Sequence, residues 1–317
     1  MATAYIDKTS LAQVIGTSFD NITTKPLRPK YIFDALCQER IWNLGTNPNR
    51  GDALQFPVLS ALSSNTGALD PTAATITGSQ TLTYTRRAVT LEAYGDHGVL
   101  DLLESHNETF INDVADMAFS LTDQAMNSLN KLARTAMDLN KYSNETSGTL
   151  SQTYHYYGSY GAGASTAGPM RAKTVREVVS DMRADNVQPF ADGLYRGIIH
   201  PIQYTQLRAD SDNAAWTKST QYVTNAPFTM GEMGDFEGVR WAVNNEVSGA
   251  GTGTISAYIM GQEFCGKAVG RDVNVKTNDK LEGPQENLLV MHWNALVGYK
   301  IIRREAGRII ECTNTKE

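Results

Sequence analysis

The side chains best equipped for chemistry are few and scattered. Three cysteines, Cys37, Cys265 and Cys312, and five histidines, His97, His106, His155, His200 and His292, are spread over 317 residues. None falls into Cys-x-x-Cys or His-Glu-x-x-His, the spacings that bring two ligands to one metal, and no Gly-x-Ser-x-Gly elbow is present to raise a nucleophilic serine. An odd number of distant cysteines fits reduced thiols better than a disulfide or zinc framework. One nucleophile and base can be paired on paper: Cys265 with His200 across neighbouring strands, the arrangement of a cytosolic thiol hydrolase. A lone His before a proline at a strand end is far more often structural. Glu104, Glu108, Asp113 and Asp116 are carboxylates on a helix surface, where solvated charge is the default. Gly158, Gly161 and Gly163 lack the Lys-Ser or Lys-Thr that completes a phosphate loop. Arg303, Arg304 and Arg308 are diluted by Glu305 and Glu311 and read as a solvated strand edge. The expectation is therefore no enzyme: no catalytic residue, no cofactor-binding residue and no metal ligand.

Composition narrows the class further. A net charge of −6 gives no basic field for tight nucleic-acid binding, although weak contact with a phosphate surface stays open. The N-terminus lacks a basic segment followed by an apolar one, and no apolar run approaches the ~20 residues of a membrane span. These features predict a soluble protein made in the cytoplasm, long enough for one large or two ordinary domains.

The element that must position everything else is 105–139. Phe110, Val114, Ala118, Leu121, Ala125, Leu129, Leu132, Ala136 and Leu139 recur at spacings of three and four, the helical period, with no Gly or Pro between Gly98 and Gly148. Ser105 with Glu108 has capping-box spacing, and Asn107 is a second candidate cap. The helix would be roughly 50 Å long, a spine that packs one side on a sheet. Before it, residues 1–30 read as a tethered arm and Tyr31–Leu44 as a short amphipathic helix stopped by Gly45 and Pro48.

Between these lies a segment with one charged residue, Asp70, from Ala53 to Thr85. Its ends, ALQFPVLS and SQTLTYTRRAVTLEAY, are strand-like and predict a two-stranded ribbon. A ribbon is too thin to bury a face alone, so an uncharged one should find that burial on a neighbouring molecule. Phe56, Leu62, Leu69, Ile76, Tyr84, Arg86 and Arg87 are the expected contact residues.

After the spine, the tyrosines 154, 156, 157 and 160 should pack a Gly-rich loop. KTVREVVSDMRADN reads as a helix buried through Val175, Val178, Val179 and Met182. Leu194–His200 reads as a strand leading to a helix opened by Pro201, and 214–224 as a further short helix. Val239, Trp241 and Val243 mark a strand, followed by a strand at Ile255–Met260 and a short helix from Gln262. Lys267–Gln285 looks like a connector, and 288–312 like two or three strands returning beneath the spine.

Three stretches in this order carry a resemblance: GIIHPIQYTQLR from Gly197, GEMGDFEGVRWAVNNEV from Gly231 and AYIMGQEFCGKAV from Ala257. They resemble the major capsid proteins of tailed bacteriophages with the HK97-like fold, most closely the subgroup typified by phage N4. The resemblance implies an α+β fold divided into an N-terminal arm (1–30), a short helix (31–49), an E-loop (50–94), a peripheral domain (95–139 plus 275–317) and an axial domain (140–274). It also implies self-assembly, as hexamers and pentamers, into an icosahedral head shell around packaged double-stranded DNA. Expected partners are a separate scaffolding protein, a portal protein and a decoration protein, with no membrane; the expected location is the virion capsid, after assembly in the host cytoplasm. Some members cross-link through an E-loop Lys, but no Lys occurs between Lys30 and Lys131. A same-fold nanocompartment shell and a tail component or adhesin are the alternatives from related and different classes.

Overall fold

The structure, a computed structural model, describes residues 31–41, 53–64, 80–101, 113–144, 148–159, 167–210, 234–249, 253–278 and 288–315. It is α+β. In chain order the elements are β1 (Gln38–Ile41), β2 (Ala53–Leu59), β3 (Tyr84–Thr90), β4 (Glu92–Asp101), α1 (Asp113–Asp138), β5 (His155–Tyr157), α2 (Ala172–Ala184), β6 (Tyr195–Ile199), α3 (Pro201–Ala209), β7 (Asp235–Phe236), β8 (Val239–Val243), β9 (Thr254–Met260), β10 (Cys265–Thr277), β11 (Leu288–Ile301) and β12 (Gly307–Thr313). The chain divides into two compact units. One contains Gly95–Ala125 and Val273–Asn294; the other contains Pro29–Tyr94, Met126–Asp272 and Ala295–Glu317.

The larger unit is built on a six-stranded sheet of order β5-β12-β9-β6-β8-β7. β9 lies antiparallel to both β12 and β6, while β6 runs parallel to β8. Six of the seven residues of β9 are buried, because both of its faces are covered. Successive side chains alternate between two cores, as the strand period of two requires. Ala257 and Ile259 pack with Val175, Val178, Val179 and Met182 of α2 and with Trp241. Tyr258 and Met260 pack with Phe33 and with Ala133 and Met137 of α1. Helix α3 starts as the His-Pro pair predicts. Nδ1 of His200 accepts the Ile202 N–H at 3.3 Å and the Gln203 side chain accepts the His200 N–H at 2.9 Å, a reciprocal cap with Pro201 in the first turn. Gln203 and Gln206 are buried and each donates to a strand-end carbonyl, Ile255 and Thr313, at 3.1 and 2.9 Å. These bonds satisfy amide groups that would otherwise be costly to bury.

In the smaller unit, Gln124 of α1 donates to the Asp96 carboxylate, and its side-chain oxygen accepts the Trp293 indole N–H at 3.4 Å. Leu121 and Ala125 are buried beside it. Gly98 leaves room for Met117, whose sulfur would stand 3.2 Å from any added Cβ.

Several expectations are corrected. Residues 31–41 of the expected helix are not helical: one 3-10 turn, Asp34–Leu36, gives way at extended Cys37 to β1, which pairs in parallel with the start of β10, and 42–44 lie outside the described residues. Pairing overrides a helix-compatible sequence whose four strand residues are all exposed. No helix follows Gln262; a turn with Glu263 at φ 60° leads straight into β10. The supposed connector is largely that strand, which is buried over its first six residues, the Asp34-paired Lys267 included, and more exposed beyond them, so Arg271, Asp272 and Lys276 sit where solvent reaches. On α1 the buried stripe runs Leu121, Ala125, Leu129, Ala133 and Met137, whereas Val114 is 38% exposed and Leu132 and Ala136 are half-buried. β12 lies inside the six-stranded sheet between β5 and β9. Ser105, Asn107, Glu108, Phe110 and the segment 214–224 lie outside the described residues.

Of the arginines near the C-terminus, Arg303 keeps 41% of its side chain in solvent beside Glu263, whereas Arg304 and Arg308 are not a solvated edge. Arg308 is 1% exposed, and its guanidinium pairs with Asp185 and donates to the Glu305 carbonyl at 2.7 Å. Arg304 donates to the Ser143 carbonyl at 2.7 Å, and the Tyr154 ring lies within 5.1 Å of the Arg304 guanidinium and 4.9 Å of that of Arg308. Glu311, on β12, lies 3.5 Å from Lys141 and 3.1 Å from His155, whose side chain is 3% exposed. The close contact with His155, outweighing desolvation and aided by the charge of Lys141, holds the Glu311 carboxyl below the ordinary glutamate range. Glu311→Gln should cost roughly 1–3 kcal/mol at neutral pH. Because a depressed carboxyl stabilises the fold above its unfolded pKa and loses that contribution as pH falls through the folded one, the gap between wild type and variant in chemical denaturation should close in acid.

Candidate assembly surface

The two-stranded ribbon of β2 and β3 is antiparallel, with Ala53 opposite Thr90 and Leu59 opposite Tyr84. Beyond the last pair the Ser60 N–H donates to the Thr83 carbonyl at 3.0 Å, and the Gln80 amide donates to the Ser63 carbonyl at 2.7 Å. The ladder thus keeps two facing sides. Leu54, Phe56 and Val58 lie on one with Thr85, Arg87 and Val89; Gln55, Pro57 and Leu59 lie on the other with Tyr84, Arg86 and Ala88.

The first side is covered at its root. Phe56 and Val89, 2% and 1% exposed, form a small core with Ala268 and Ile302, joined by Leu54, Val58 and Leu91. Three glycines allow this approach. A Cβ on Gly298 would stand 2.0 Å from the Thr90 carbonyl oxygen, one on Gly266 3.1 Å from the Phe56 ring, and one on Gly270 3.2 Å from Leu91. Glycine inside a strand signals a close backbone approach, so GKAVGR and LVGYK carried a legible trace of this seat. The Arg40 guanidinium lies 5.1 Å from the Phe56 ring centre and closes the root from β1.

The far end is different. Leu59, Leu62, Leu82 and Tyr84 are 46%, 53%, 47% and 57% exposed. Half of the exposed large apolar side chains among the described residues belong to this one short stretch of ribbon. Of the seven expected contact residues, Leu62, Tyr84 and Arg86 are exposed and Arg87 is half-buried on the side of Phe56. Phe56 lies on the other side: its ring is covered by its own chain, because the alternation that exposes Leu59 turns Phe56 inward. Leu69 and Ile76 lie outside the described residues.

The thiol hydrolase reading finds no assembled site. His200 spends Nδ1 on its helix cap, and Cys265 is buried against Cys37, not presented to a cleft. Among the described residues no group of three or more His, Cys, Asp or Glu is placed to hold a metal ion. No helix described is long and apolar enough to cross a membrane.

Root and tip make opposite contributions to the isolated chain. Phe56→Ala should lower its stability by about 3–5 kcal/mol, as expected for an emptied aromatic site, while Tyr84→Ala should change it by less than about 0.5 kcal/mol. Gly298→Ala should cost about 1–3 kcal/mol because the Thr90 carbonyl must move. Thermal and urea unfolding of the three variants checks the order.

No family model matches this sequence, and no curated protein matches it. Solved structures do. The chain aligns over all of its length with all of a subunit in the cyanophage Pam1 capsid asymmetric unit, at 15% identity and a TM-score of 0.72. Similar alignments join it to the capsid of cyanophage P-SCSP1u (96% of this chain and 95% of that one, 11% identity, TM-score 0.70) and to the capsid of Ralstonia phage GP4 (99% and 98%, 15% identity, TM-score 0.66). From its first strand to its last, this chain has the fold found in the capsids of these phages.

Proposed function

We propose that this protein is the major capsid protein of a tailed bacteriophage and that copies of it close into the icosahedral head shell around the packaged genome. The observation that carries the proposal is the ribbon: its root is seated in its own chain, and its tip holds Leu59, Leu62, Leu82 and Tyr84 in solvent. End-to-end similarity to capsid subunits supports the same reading. The mechanism is association. Each tip side chain covered by a neighbour is worth roughly 1–2 kcal/mol of apolar burial, and a closed lattice repeats that gain at every subunit.

In finer detail, the layout is HK97-like, with 50–94 as the E-loop and 1–30 as the arm, and the subgroup is that typified by phage N4. The subunits form hexamers and pentamers, guided by a separate scaffolding protein, with a portal protein at one vertex, a decoration protein outside and non-specific contact with double-stranded DNA inside. Synthesis and assembly take place in the host cytoplasm, and the mature location is the virion. The role is structural, without catalysis. Cross-linking through an E-loop Lys has no donor, since none lies between Lys30 and Lys131.

Electron microscopy and sedimentation of the purified chain, alone and with the proteins encoded beside it, test this. Closed particles or their capsomers are expected, enclosing DNA in an infected cell. Leu62→Asp with Tyr84→Asp should leave the melting temperature within about 2 °C while shifting the population to single subunits. A wild-type chain that stays monomeric under every condition, or a double variant that assembles as well as wild type, would overturn the proposal. Particles filled with an enzyme cargo would instead mark a nanocompartment, and filaments or rings a tail component.

A further inference from the structure

The N-terminal edge of the larger unit is held by a compact set of contacts around Asp34. The Phe33 N–H donates to Oδ1 of Asn130 at 2.9 Å, and the Phe33 ring meets Tyr258 edge to face at 5.1 Å. The Asp34 carboxylate pairs with Lys267 at 2.9 Å and accepts the Tyr299 hydroxyl at 2.5 Å. Next to them are two thiols. Cys37 immediately precedes β1 and Cys265 opens β10; the parallel pairing sets Gln38 opposite Gly266, so one step back sets Cys37 beside Cys265. Hydrogen-bonded strands lie roughly 4.8 Å apart, inside the ~4.4–6.8 Å Cα separation that a disulfide takes. The Cys37 thiol donates to the Phe33 carbonyl at 3.4 Å and lies close enough to Cys265 to be perturbed by it. Cys312 lies apart, in the core on the other face of the six-stranded sheet.

We infer that Cys37 and Cys265 are a covalent modification site, at which a low-molecular-weight disulfide oxidises the pair to a Cys37–Cys265 bond that fastens β1 to β10. The strand gains from it, since all four of its residues are exposed and Ile41 is 72% exposed. Cys37 is half-buried, the more accessible residue of the two, and takes the small reagent first; Cys265, 1% exposed, is the resolving one. The Cys37 thiolate attacks one sulfur of the small disulfide, giving a mixed disulfide and releasing one small thiolate. Cys265 gives its proton to solvent, and its thiolate attacks the Cys37 sulfur and expels the second. Two protein thiols are oxidised and one small disulfide is reduced to two thiols. The contact with Cys265, burial and the charge of Asp34 together push the Cys37 thiol up, so Cys37 stays protonated and slow at neutral pH and reacts faster as pH rises. The site does not depend on the chain building a shell.

The native full-length chain is incubated with oxidised glutathione at neutral and alkaline pH, quenched with acid, and its thiols are counted after denaturation. The count should fall from three to one, with Cys37 and Cys265 peptides linked in an unreduced digest. Cys312→Ser should fall from two to none and still give the linked peptide, while Cys37→Ser should give no linked peptide. The inference is overturned if all three thiols persist, if Cys37 keeps a stable glutathione adduct beside a reduced Cys265, or if the bond involves Cys312 or joins two chains.

Discussion

A two-stranded ribbon cannot bury one of its own faces, and the architecture of the larger unit follows from where that constraint is met. At the root, Phe56 and Val89 are covered only because the backbones beneath them come unusually close. Gly266, Gly270 and Gly298 supply that closeness by having no side chain at the contact. Farther out nothing on the described chain approaches, and the apolar character of the segment continues into solvent. The same sequence pattern therefore has two outcomes along one ribbon, decided by the distance to the platform and not by the residues themselves.

Buried polar groups do the complementary work of fixing which elements meet. Asn130, Gln203, Gln206 and Arg308 are all nearly inaccessible, and each is bonded to the backbone or to a carboxylate of a segment far away in sequence. Leaving such a group unpaired would cost more than its bond contributes, so these contacts select one arrangement over its near neighbours. Asn140 does the same at the end of the long helix, donating to the Gly307 carbonyl at 2.8 Å where the final strand begins.

Local periodicity made much of this legible. The long helix, the helix at 172–184, the His-Pro entry to the next helix, the ribbon strands and the alternation at Val239, Trp241 and Val243 all announce themselves over a few residues. What was hidden depends on partners distant in sequence. β1 looks helical because Gln, Glu and Arg are good helix formers, and only its pairing with β10 makes it a strand. The outer half of β10 carries charges that suit solvent as well as a loop would. Nothing near Arg308 in sequence shows that Asp185 and Tyr154 enclose it. Nor does the sequence show that Phe56 faces its own chain, since which side of a ribbon is covered is a property of what lies beneath it.

The place of β12 in its sheet has a consequence for biosynthesis. It is the last described strand to leave the ribosome, yet it sits between β5 and β9, pairing with both. Until residue 313 has emerged, β9 lacks a neighbour along one side, and β5 has none, among the described strands. The larger unit thus cannot close before β12 has been made, and fragments cut short before it would be substrates for chaperones and proteases, not for incorporation beside finished copies.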